Sequence, residues 1–427
     1  MIHLRKYSYL ILWGALIATV GLVWLFGGRA GENGGTQQSL QPSASSAGQP
    51  SAAPTQEPTF EPGSASVSAE TEMAGLWVPY MSLTTEEKTQ AAFEENFKKI
   101  ADSAKTKGIT ALFVHVRPYG DALYPSDFFP WSHILTGEQG KDPGYDPLAF
   151  MVSYAHELGM AFHAWINPLR IQSGDSTFEL SSGNLYNQLK DDSPFYFMND
   201  DGGIYLNPAY PYVRSLIADG AAEIVSRYEV DGIHFDDYFY PSEDEALDSD
   251  AYAAYASGVS EPLTLAQWRT GNINAMVAEV YQKIKAARGD AVFGISPTGN
   301  IENDEKMNAD VKTWCAIPGY LDYICPQIYY SYDNPALGYG AALSQWTELP
   351  RHSSLRMYIG LALYKAGSDA DSGTWQPADD QIARQIQDSR SVGANGVILY
   401  SAAYLDIPQT EKEVQNAVAL LQPETED

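Results

Sequence analysis

Eight short apolar runs, separated by longer amphipathic stretches, constrain the fold of this chain more than any other feature. Strand-like runs that alternate with helix-like stretches are typical of a parallel sheet. Eight repeats predict closure into a (β/α)8 TIM barrel, with an open doubly wound sheet as the alternative. No G-x-G-x-x-G follows the first run to support a dinucleotide fold. The runs are GLWVPY (75–80), ITALFVHV (109–116), MAFHAWIN (160–167), DGIHFD (231–236), AVFGIS (291–296), LDYICPQIY (321–329), LRMYIGLAL (355–363) and GVILYS (396–401).

The stretches between the runs carry the apolar spacing of helices. In FEENFKKIADSAKTKG, the side chains of Phe93, Phe97, Ile100 and Ala104 fall on one helical face, and Gly108 is a stop signal. The same reading applies to YVRSLIADGAAEIVSRYEV and to KEVQNAVALLQ near the end of the chain. These stretches supply the helices that a β/α barrel requires.

Three of the connecting segments are long and rich in Tyr, Phe, Pro and Trp. They cover residues 118–146, 168–210 and 237–263 and follow the second, third and fourth runs. In β/α barrels the active site lies at the carboxyl ends of the strands, where these segments begin. Long segments on that face predict a cleft, which suits an extended polymer better than a small metabolite.

The alternation of side chains along each run predicts which of them face the barrel axis. In the fourth run, Ile233 and Phe235 suit the helix layer, so His234 and Asp236 should face the axis. The same test applied to the other runs brings polar and aromatic groups together at the upper rim. The residues predicted there are Arg117, Trp165, Asn167, Asp236, Tyr238, Ser296, Gln327 and Tyr329.

Asp236 is the strongest candidate for a catalytic group, as nucleophile, base or stabiliser of the oxocarbenium-like state, because an inward carboxylate at a barrel rim is costly unless it is paired or functional. An Arg117–Asp236 ion pair that only closes the barrel is the alternative. Glycoside hydrolysis normally needs two carboxyl groups. Asp237 is nearest in sequence, but alternation turns it away unless a bulge re-aims it. Asp121, in the segment after Arg117, is the other candidate for the second acid.

The three histidines at inward positions and the two cysteines do not predict a metal site. His115, His163 and His234 share inward parity but lie deeper than the rim, so we interpret them as hydrogen-bonded core side chains. Their alternative role is to orient the rim carboxylate. Cys315 and Cys325 are expected to be buried free thiols, with a single bridge as the alternative. Neither a G-x-S-x-G elbow nor a P-loop is present, and no cofactor is predicted.

Composition is compatible with a carbohydrate partner, although a tyrosine-rich core explains it equally simply. The 54 acidic residues outnumber the 26 basic ones, and the net charge of -28 argues against nucleic acid as a partner. The chain also has 28 tyrosines, and abundant Tyr and acid are common in proteins that act on sugars. Tyr119, Trp165 and Tyr330 are candidates for stacking on sugar rings, with packing at the barrel rim as the alternative.

The amino-terminal part of the chain has a different character. A basic pair precedes the apolar run Tyr7–Phe26, which is long enough to span a bilayer. Residues 1–29 are therefore predicted to be a membrane anchor or a cleaved signal peptide. Residues 30–72 are rich in Ser, Pro, Ala, Gln and Gly and are predicted to be a disordered linker. The barrel domain, residues 73–427, should then lie outside the cytoplasm, anchored or secreted.

Eight blocks along the chain match one family pattern: GLWVPY (75–80), VHVRPYGDALYPS (114–126), HAWINPLR (163–170), YLNPAYPYVR (205–214), DGIHFDDYFYP (231–241), GISPTGN (294–300), YICPQIYYSY (323–332) and GVILYSAAY (396–404). Together they resemble glycosyl-hydrolase-like family 10 of bacterial envelope proteins, which is distinct from the family-10 xylanases. The resemblance runs over nearly all of residues 74–420. It implies a (β/α)8 barrel that hydrolyses glycosidic bonds, in some members those of peptidoglycan strands without stem peptides. The motif positions are Arg117, Asn167, Asn207, Asp236, Asp237, Gln327 and Tyr329.

A more distant resemblance to the family-18 chitinases breaks down at the acid. Their fourth strand ends in D-x-x-D-x-D-x-E, with the final Glu as the acid. If Asp231 takes the first position, His234, Asp236 and Tyr238 take the other three. The resemblance therefore leaves the general acid unassigned. If the substrate carries an N-acetyl group, that group could be the nucleophile, with Asp236 orienting it and Tyr329 hydrogen-bonding to it.

The sequence as a whole predicts a glycoside hydrolase of the cell envelope that acts on peptidoglycan glycan strands. One alternative is a non-catalytic barrel that binds glycan. Another is a hydrolase of an extracellular capsule or a storage polysaccharide. The predicted partners are the polysaccharide and, through the amino-terminal segment, the membrane.

Overall fold

Eight parallel strands close into a barrel, in which the first strand of the chain neighbours both the second and the last. The computed structural model describes residues 72–189, 195–376 and 378–422. Each predicted apolar run overlaps one barrel strand, so the TIM barrel is confirmed and the open sheet is excluded. The strands of the described chain are β1 (Met73–Val78), β2 (Ala111–Arg117), β3 (Ala161–Ile166), β4 (Arg170–Gln172), β5 (Tyr196–Met198), β6 (Ile204–Leu206), β7 (Gly232–Phe235), β8 (Val292–Ile295), β9 (Tyr323–Ile324), β10 (Arg356–Leu361) and β11 (Gly396–Tyr400).

The long segment after β3 contains a small antiparallel sheet in the order β4-β6-β5. The sequence predicted only a connecting segment there. Each of these strands has three residues, which is too short for alternation of apolar and polar residues to be recognised. The sheet matters for function, because β4 begins at the carboxyl end of the barrel with Arg170.

Helices alternate with the barrel strands, as the sequence predicts. Helix α2 begins after Thr89, whose hydroxyl accepts the Ala92 N–H, and it buries Phe93 and Phe97. Gly108 ends this region with a φ of +81°, a conformation that favours glycine. The helices of the described residues are α1 (Tyr80–Leu83), α2 (Gln90–Thr106), α3 (His133–Thr136), α4 (Pro147–Glu157), α5 (Leu185–Leu189), α6 (Pro211–Arg227), α7 (Ser249–Ser257), α8 (Leu265–Ala287), α9 (Ile301–Lys306), α10 (Val311–Ala316), α11 (Tyr339–Glu348), α12 (Ala370–Gly373), α13 (Gln381–Ser391) and α14 (Glu411–Leu421), with 3-10 turns at Leu363–Lys365 and Ala402–Tyr404.

The core has two layers, one inside the barrel and one between the strands and the helices. The two buried cysteines are free thiols, as expected, and Cys325 belongs to the inner layer. The large aromatic content of the inner layer fills the barrel, so this core is solid rather than an open channel. The inner layer consists of Trp77, Ala111, Phe113, Trp165, Tyr323, Cys325, Tyr358 and Ile398.

The predicted anchor and linker, residues 1–29 and 30–72, lie outside the described residues except for Glu72. Glu72 forms an ion pair with Arg390 at 2.8 Å. Among the helices that the structure describes, none is long and apolar enough to cross a membrane. The anchor, the linker and the domain boundaries stay predictions.

Candidate active site

Asp236 lies directly after the last residue of β7, at the carboxyl end of the barrel, and its side chain is almost fully buried. Its Oδ2 accepts hydrogen bonds from Trp165 Nε1 at 3.0 Å and from Asn167 Nδ2 at 3.3 Å. Its Oδ1 accepts the Tyr238 backbone N–H at 3.3 Å, and no side chain of the described residues donates to it. Trp165 and Asn167 come from the end of β3, so two adjacent strands position one carboxyl group.

Burial, and after it the neighbouring Asp237, raise the pKa of Asp236 to about 7. Arg170, the Trp165 indole and the Tyr238 N–H act in the opposite direction. Because both side-chain donors approach Oδ2, the proton of the neutral acid belongs on Oδ1. The site therefore holds a carboxylic acid that can donate a proton near neutral pH.

Asp237 faces the same group of residues as Asp236, so the expectation that it points away is wrong. Strand β7 ends at Phe235, and the chain turns so that the Phe239 N–H reaches the Asp237 carbonyl at 3.1 Å. Strand alternation does not apply beyond that turn. The half-buried Asp237 carboxyl has a raised pKa because of burial, while a hydrogen bond from Gln327 lowers it. Gln327 is itself held by a bond from its Nε2 to the Ser296 carbonyl at 2.9 Å.

Arg170 is the cation of the site, and alternation along the barrel strands did not identify it. Its Nε and Nη2 donate to the Pro118 carbonyl at 3.1 and 2.9 Å. Its guanidinium lies 4.8 Å from the Tyr119 ring centre and 5.0 Å from that of Tyr238. The positive charge of Arg170 lowers the pKa of both Asp236 and Asp237. The available signal was its place at the end of the block HAWINPLR, beyond the end of β3.

Arg117 does not face the barrel axis, so its predicted inward position is wrong, and the alternative of an Arg117–Asp236 ion pair is excluded. The register between β2 and β3 shifts between His115 and Arg117, so that Arg117 stands opposite Ile166. Such a bulge reverses the side-chain direction. Arg117 therefore points to the same side as its neighbour Ile166, which faces the helix layer. The Arg117 guanidinium accordingly lies 4.2 Å from the Phe129 ring centre.

Aromatic side chains form the floor of the site above the inner core. The Trp77 ring centre lies 6.3 Å from that of Tyr329 and 6.0 Å from that of Tyr400. Tyr329 and Tyr400 are 5.8 Å apart. Tyr329 was predicted from the sequence, whereas Tyr400, at the end of β11, was not. Tyr330 is half-buried, and its carbonyl accepts a hydrogen bond from Gln385.

The predicted binding residues His234 and Ser296 lie below this floor and are buried. Trp77 Nε1 donates to His234 Nε2 at 3.0 Å, so His234 carries its hydrogen on Nδ1 and donates to the Tyr323 hydroxyl at 2.8 Å. Ser296 Oγ lies 3.0 Å from the same Nε2. Burial holds the pKa of His234 well below its usual range. Both side chains therefore contact protein groups of the core.

The other inward histidines also belong to the core. His115 stacks on Trp165 with ring centres 3.8 Å apart, and burial keeps its pKa well below the usual range. His163 stacks on Phe113 at 4.4 Å, and burial lowers its pKa to about 4. Within the described part of the chain, no group of three or more His, Cys, Asp or Glu side chains could hold a metal ion.

Asp121 lies in a separate buried cluster. Its Oδ2 accepts a hydrogen bond from Gln139 Nε2 at 3.1 Å and lies 3.4 Å from His133 Nδ1. The Tyr119 ring lies between this cluster and Arg170, with its centre 5.9 Å from that of His133. The cluster joins the segments that follow β2 and β3, whereas Asp236 and Asp237 interact electrostatically with each other.

Asn207 and Tyr119 connect further segments to the rim. Asn207 Oδ1 accepts the Ala209 N–H at 3.0 Å and so shapes the segment that leads into α6. The Tyr119 hydroxyl lies 2.8 Å from that of Tyr80.

Tyr238 leaves 46% of its surface exposed beside Asp236, which makes it an accessible aromatic ring next to the acids.

A family model described as Glycosyl hydrolase-like 10 matches residues 72–376. The chain belongs to this family. It is 32% identical over 356 residues to the glycosyl hydrolase YngK of Bacillus subtilis, which covers 77% of this chain and 67% of YngK. It is also 32% identical over 370 residues to the glycosyl hydrolase DigH of Escherichia coli K12, which covers 79% of this chain and 82% of DigH. The resemblance found in the sequence is thereby confirmed.

Solved glycosidases share the fold of this glycosyl hydrolase-like 10 protein. The catalytic domain of β-amylase from Paenibacillus polymyxa has a TM-score of 0.52 and 12% identity, covering 82% of this chain and 99% of that domain. α-L-Fucosidase isoenzyme 2 from Paenibacillus thiaminolyticus has a TM-score of 0.51 and 14% identity, covering 82% of this chain and 49% of the fucosidase. At such low identity, the similarity establishes the barrel alone.

Proposed function

We propose that this protein hydrolyses glycosidic bonds in a cell-envelope glycan, namely peptidoglycan glycan strands that lack stem peptides. The observation that carries the proposal is Asp236, a buried acid with a pKa of about 7 beside a second carboxyl group at the barrel mouth. Membership of a glycosyl hydrolase-like family supports the reaction class. The choice of glycan rests on the resemblance to envelope proteins of that family.

In this mechanism the two acids have different roles because their surroundings differ. Asp236 keeps its proton to higher pH, and its Oδ1 is free of side-chain donors, so it protonates the glycosidic oxygen. Asp237 receives the Gln327 hydrogen bond and ionises first, so its negative charge faces the oxocarbenium-like transition state. As the glycosidic C–O bond breaks, a water molecule adds to the anomeric carbon and gives its proton to the ionised Asp236, which restores the acid.

Aromatic rings around the acids provide binding surfaces for sugar rings. Tyr238 exposes one face beside Asp236, while Tyr329 and Tyr400 line the floor of the site. Pyranose rings present C–H faces that pack on such rings, and the surrounding hydroxyl and amide groups can bond to sugar hydroxyls. The long segments after β2, β3 and β7 extend the cleft and suit a polymeric substrate.

The test is to incubate the purified protein with a panel of glycans and to measure new reducing ends. Peptide-free peptidoglycan strands should be cleaved, and Asp236→Asn or Asp237→Asn should each lower the rate by about 100-fold or more. Asp290→Asn is the matched control, because the Asp290 side chain is 86% exposed and should leave the rate unchanged.

Other results would contradict the proposal in different ways. Binding to cell walls without release of fragments would identify a non-catalytic glycan-binding barrel. Cleavage of only capsular or storage polysaccharides would reject the proposed substrate while keeping the reaction. Full activity in both the Asp236 and Asp237 variants would reject the site.

The proposed location is the outer side of the cytoplasmic membrane, with residues 1–72 as anchor or signal segment and linker. This part rests on the sequence alone. External protease should digest the barrel in intact cells that have no outer membrane barrier. Protection of the barrel under those conditions would contradict an extracytoplasmic location.

A further inference from the structure

We propose that Arg170 is the positioning residue of this active site, and that its fixed charge sets the pH at which Asp236 gives up its proton. The effect of Arg170 on catalysis rests on the proposed function, but its effect on proton release from Asp236 does not. The inference follows from how Arg170 is held, how it is linked to Asp236, and which other charges surround the pair.

The Arg170 guanidinium cannot swing away from the site as a surface lysine could. Two of its nitrogens donate to one carbonyl, that of Pro118, so the plane of the group is fixed. The rings of Tyr119 and Tyr238 lie within 4.8 and 5.0 Å of its carbon centre. Only 8% of the residue is exposed, so solvent screens the charge weakly.

Arg170 is also linked to Asp236 through its backbone. The Arg170 N–H donates to Asn167 Oδ1 at 3.0 Å, which turns the Asn167 Nδ2 towards Asp236 Oδ2. One residue therefore supplies the positive charge and also orients an amide donor on the acid. Because these donors act on Oδ2, they leave the Asp236 proton on Oδ1.

Around neutral pH, few other charges remain near the pair. Burial raises the pKa of Tyr80, Tyr238 and Tyr400 and keeps the pKa of His115 well below its usual range, so these groups are neutral. Besides Arg170 and Asp236 themselves, the charged groups near the pair are Asp237 and Asp175. The groups that face the pair from the barrel and its connecting segments are Tyr80, His115, Tyr119, Asp175, Tyr205, Asp237, Tyr238 and Tyr400.

Arg170 therefore offsets the repulsion between the two carboxyl groups. A nearby positive charge favours the ionised form of an acid, so Asp236 loses its proton at a lower pH than it would beside Asp237 alone. Without that charge, Asp236 would remain protonated well above neutral pH. A general acid must release its proton to the leaving group, so such a site would turn over slowly.

The experiment measures the titration of the Asp236 carboxyl carbon by NMR in the full-length protein labelled with 13C-aspartate. The Asp236→Asn variant identifies the signal. Arg170→Met removes the charge, and Arg170→Gln removes it while keeping a donor for the Pro118 carbonyl, in case the Met variant does not fold. Arg170→Lys retains the charge. The matched control is Arg214→Met, because Arg214 is also buried and donates to the carbonyls of residues 208 and 209.

We expect the titration midpoint of the Asp236 carboxyl to rise by about one pH unit or more in the two variants without the charge, Arg170→Met and Arg170→Gln. Arg170→Lys should have a midpoint closer to that of the wild type, and Arg214→Met should have the wild-type midpoint. In an active enzyme, the alkaline limb of kcat/KM should move to higher pH in the neutral variants, although kcat falls. A purely structural role would lower the rate without moving that limb.

An unchanged or lowered titration midpoint of Asp236 in a folded Arg170→Met or Arg170→Gln variant would overturn the inference. Because the titration needs no substrate, its outcome is separate from that of the proposed function. An inactive wild type with a raised midpoint in the neutral variants would reject only the proposed function. An active wild type with unshifted midpoints would reject only the role of Arg170.

Discussion

Replacement of Asp236 by asparagine should stabilise the protein at alkaline pH. The pKa of Asp236 is about 7, against an ordinary aspartate value of 3.8. At about 1.4 kcal/mol per pH unit, this difference corresponds to roughly 4 kcal/mol of native-state stability lost when the buried acid ionises. Asparagine cannot ionise, so the variant avoids that loss. The same burial that prepares Asp236 for proton donation therefore makes the wild-type barrel less stable.

The sign of this effect depends on pH in a defined way. Between about pH 4 and pH 7, the folded wild type holds a proton that the unfolded chain has released, so its stability falls as the pH rises. Near pH 4 the acid is protonated in the folded state and about half protonated in the unfolded chain, so the variant and the wild type should differ by less than about 1 kcal/mol. Above pH 7 the advantage of the variant should approach its full size.

The assay is thermal and urea unfolding of both proteins at pH 4.5 and pH 8. Asp290→Asn, at an exposed position, should leave the stability nearly unchanged at either pH. A difference between wild type and Asp236→Asn that does not change with pH would refute the reasoning. So would a variant that is less stable than the wild type at pH 8.

Three further substitutions test separate parts of the structure. Trp165→Phe removes a donor to Asp236, so the alkaline limb of the pH–rate profile should move to higher pH; a shift to lower pH would be contrary to this account. His234→Phe leaves a buried indole N–H and a buried hydroxyl without their partner and should lower the free energy of unfolding by about 2–4 kcal/mol in urea titration. Gly220→Ala would place a methyl group 2.5 Å from a buried guanidinium nitrogen and should cost about 1–3 kcal/mol, whereas Gly340→Ala, with open space around it, should be neutral or slightly stabilising.

The fold could be predicted from the sequence because each barrel strand has its own apolar run. Alternation also placed His234 inside the barrel and Asp236 at its mouth, since β7 is regular up to Phe235. It failed at Arg117, where a bulge reverses the direction of the side chain. The strands β4, β5 and β6 are too short to show a recognisable alternation of apolar and polar residues.

The site was less predictable than the fold because most of its groups follow the strands rather than lie within them. Asp237 comes after a turn that alternation cannot anticipate. Arg170 is in β4, outside the barrel, and only the folded chain brings it to Asp236. Tyr400 closes the floor from the last strand, far along the chain from the other members. Electrostatic coupling of this kind depends on three-dimensional proximity that the order of residues does not encode directly.

A structure of the Asp236→Asn variant with a bound oligosaccharide of peptide-free peptidoglycan would show which acid lies against the scissile bond. The central claim is that Asp236 protonates the glycosidic oxygen while Asp237 supplies the second carboxyl group. We predict that the glycosidic oxygen lies about 3 Å from the side-chain atom that replaces Asp236 Oδ1, with Asp237 on the same sugar ring. A scissile bond beside Asp121 instead, or a glycan bound away from both acids, would contradict the account.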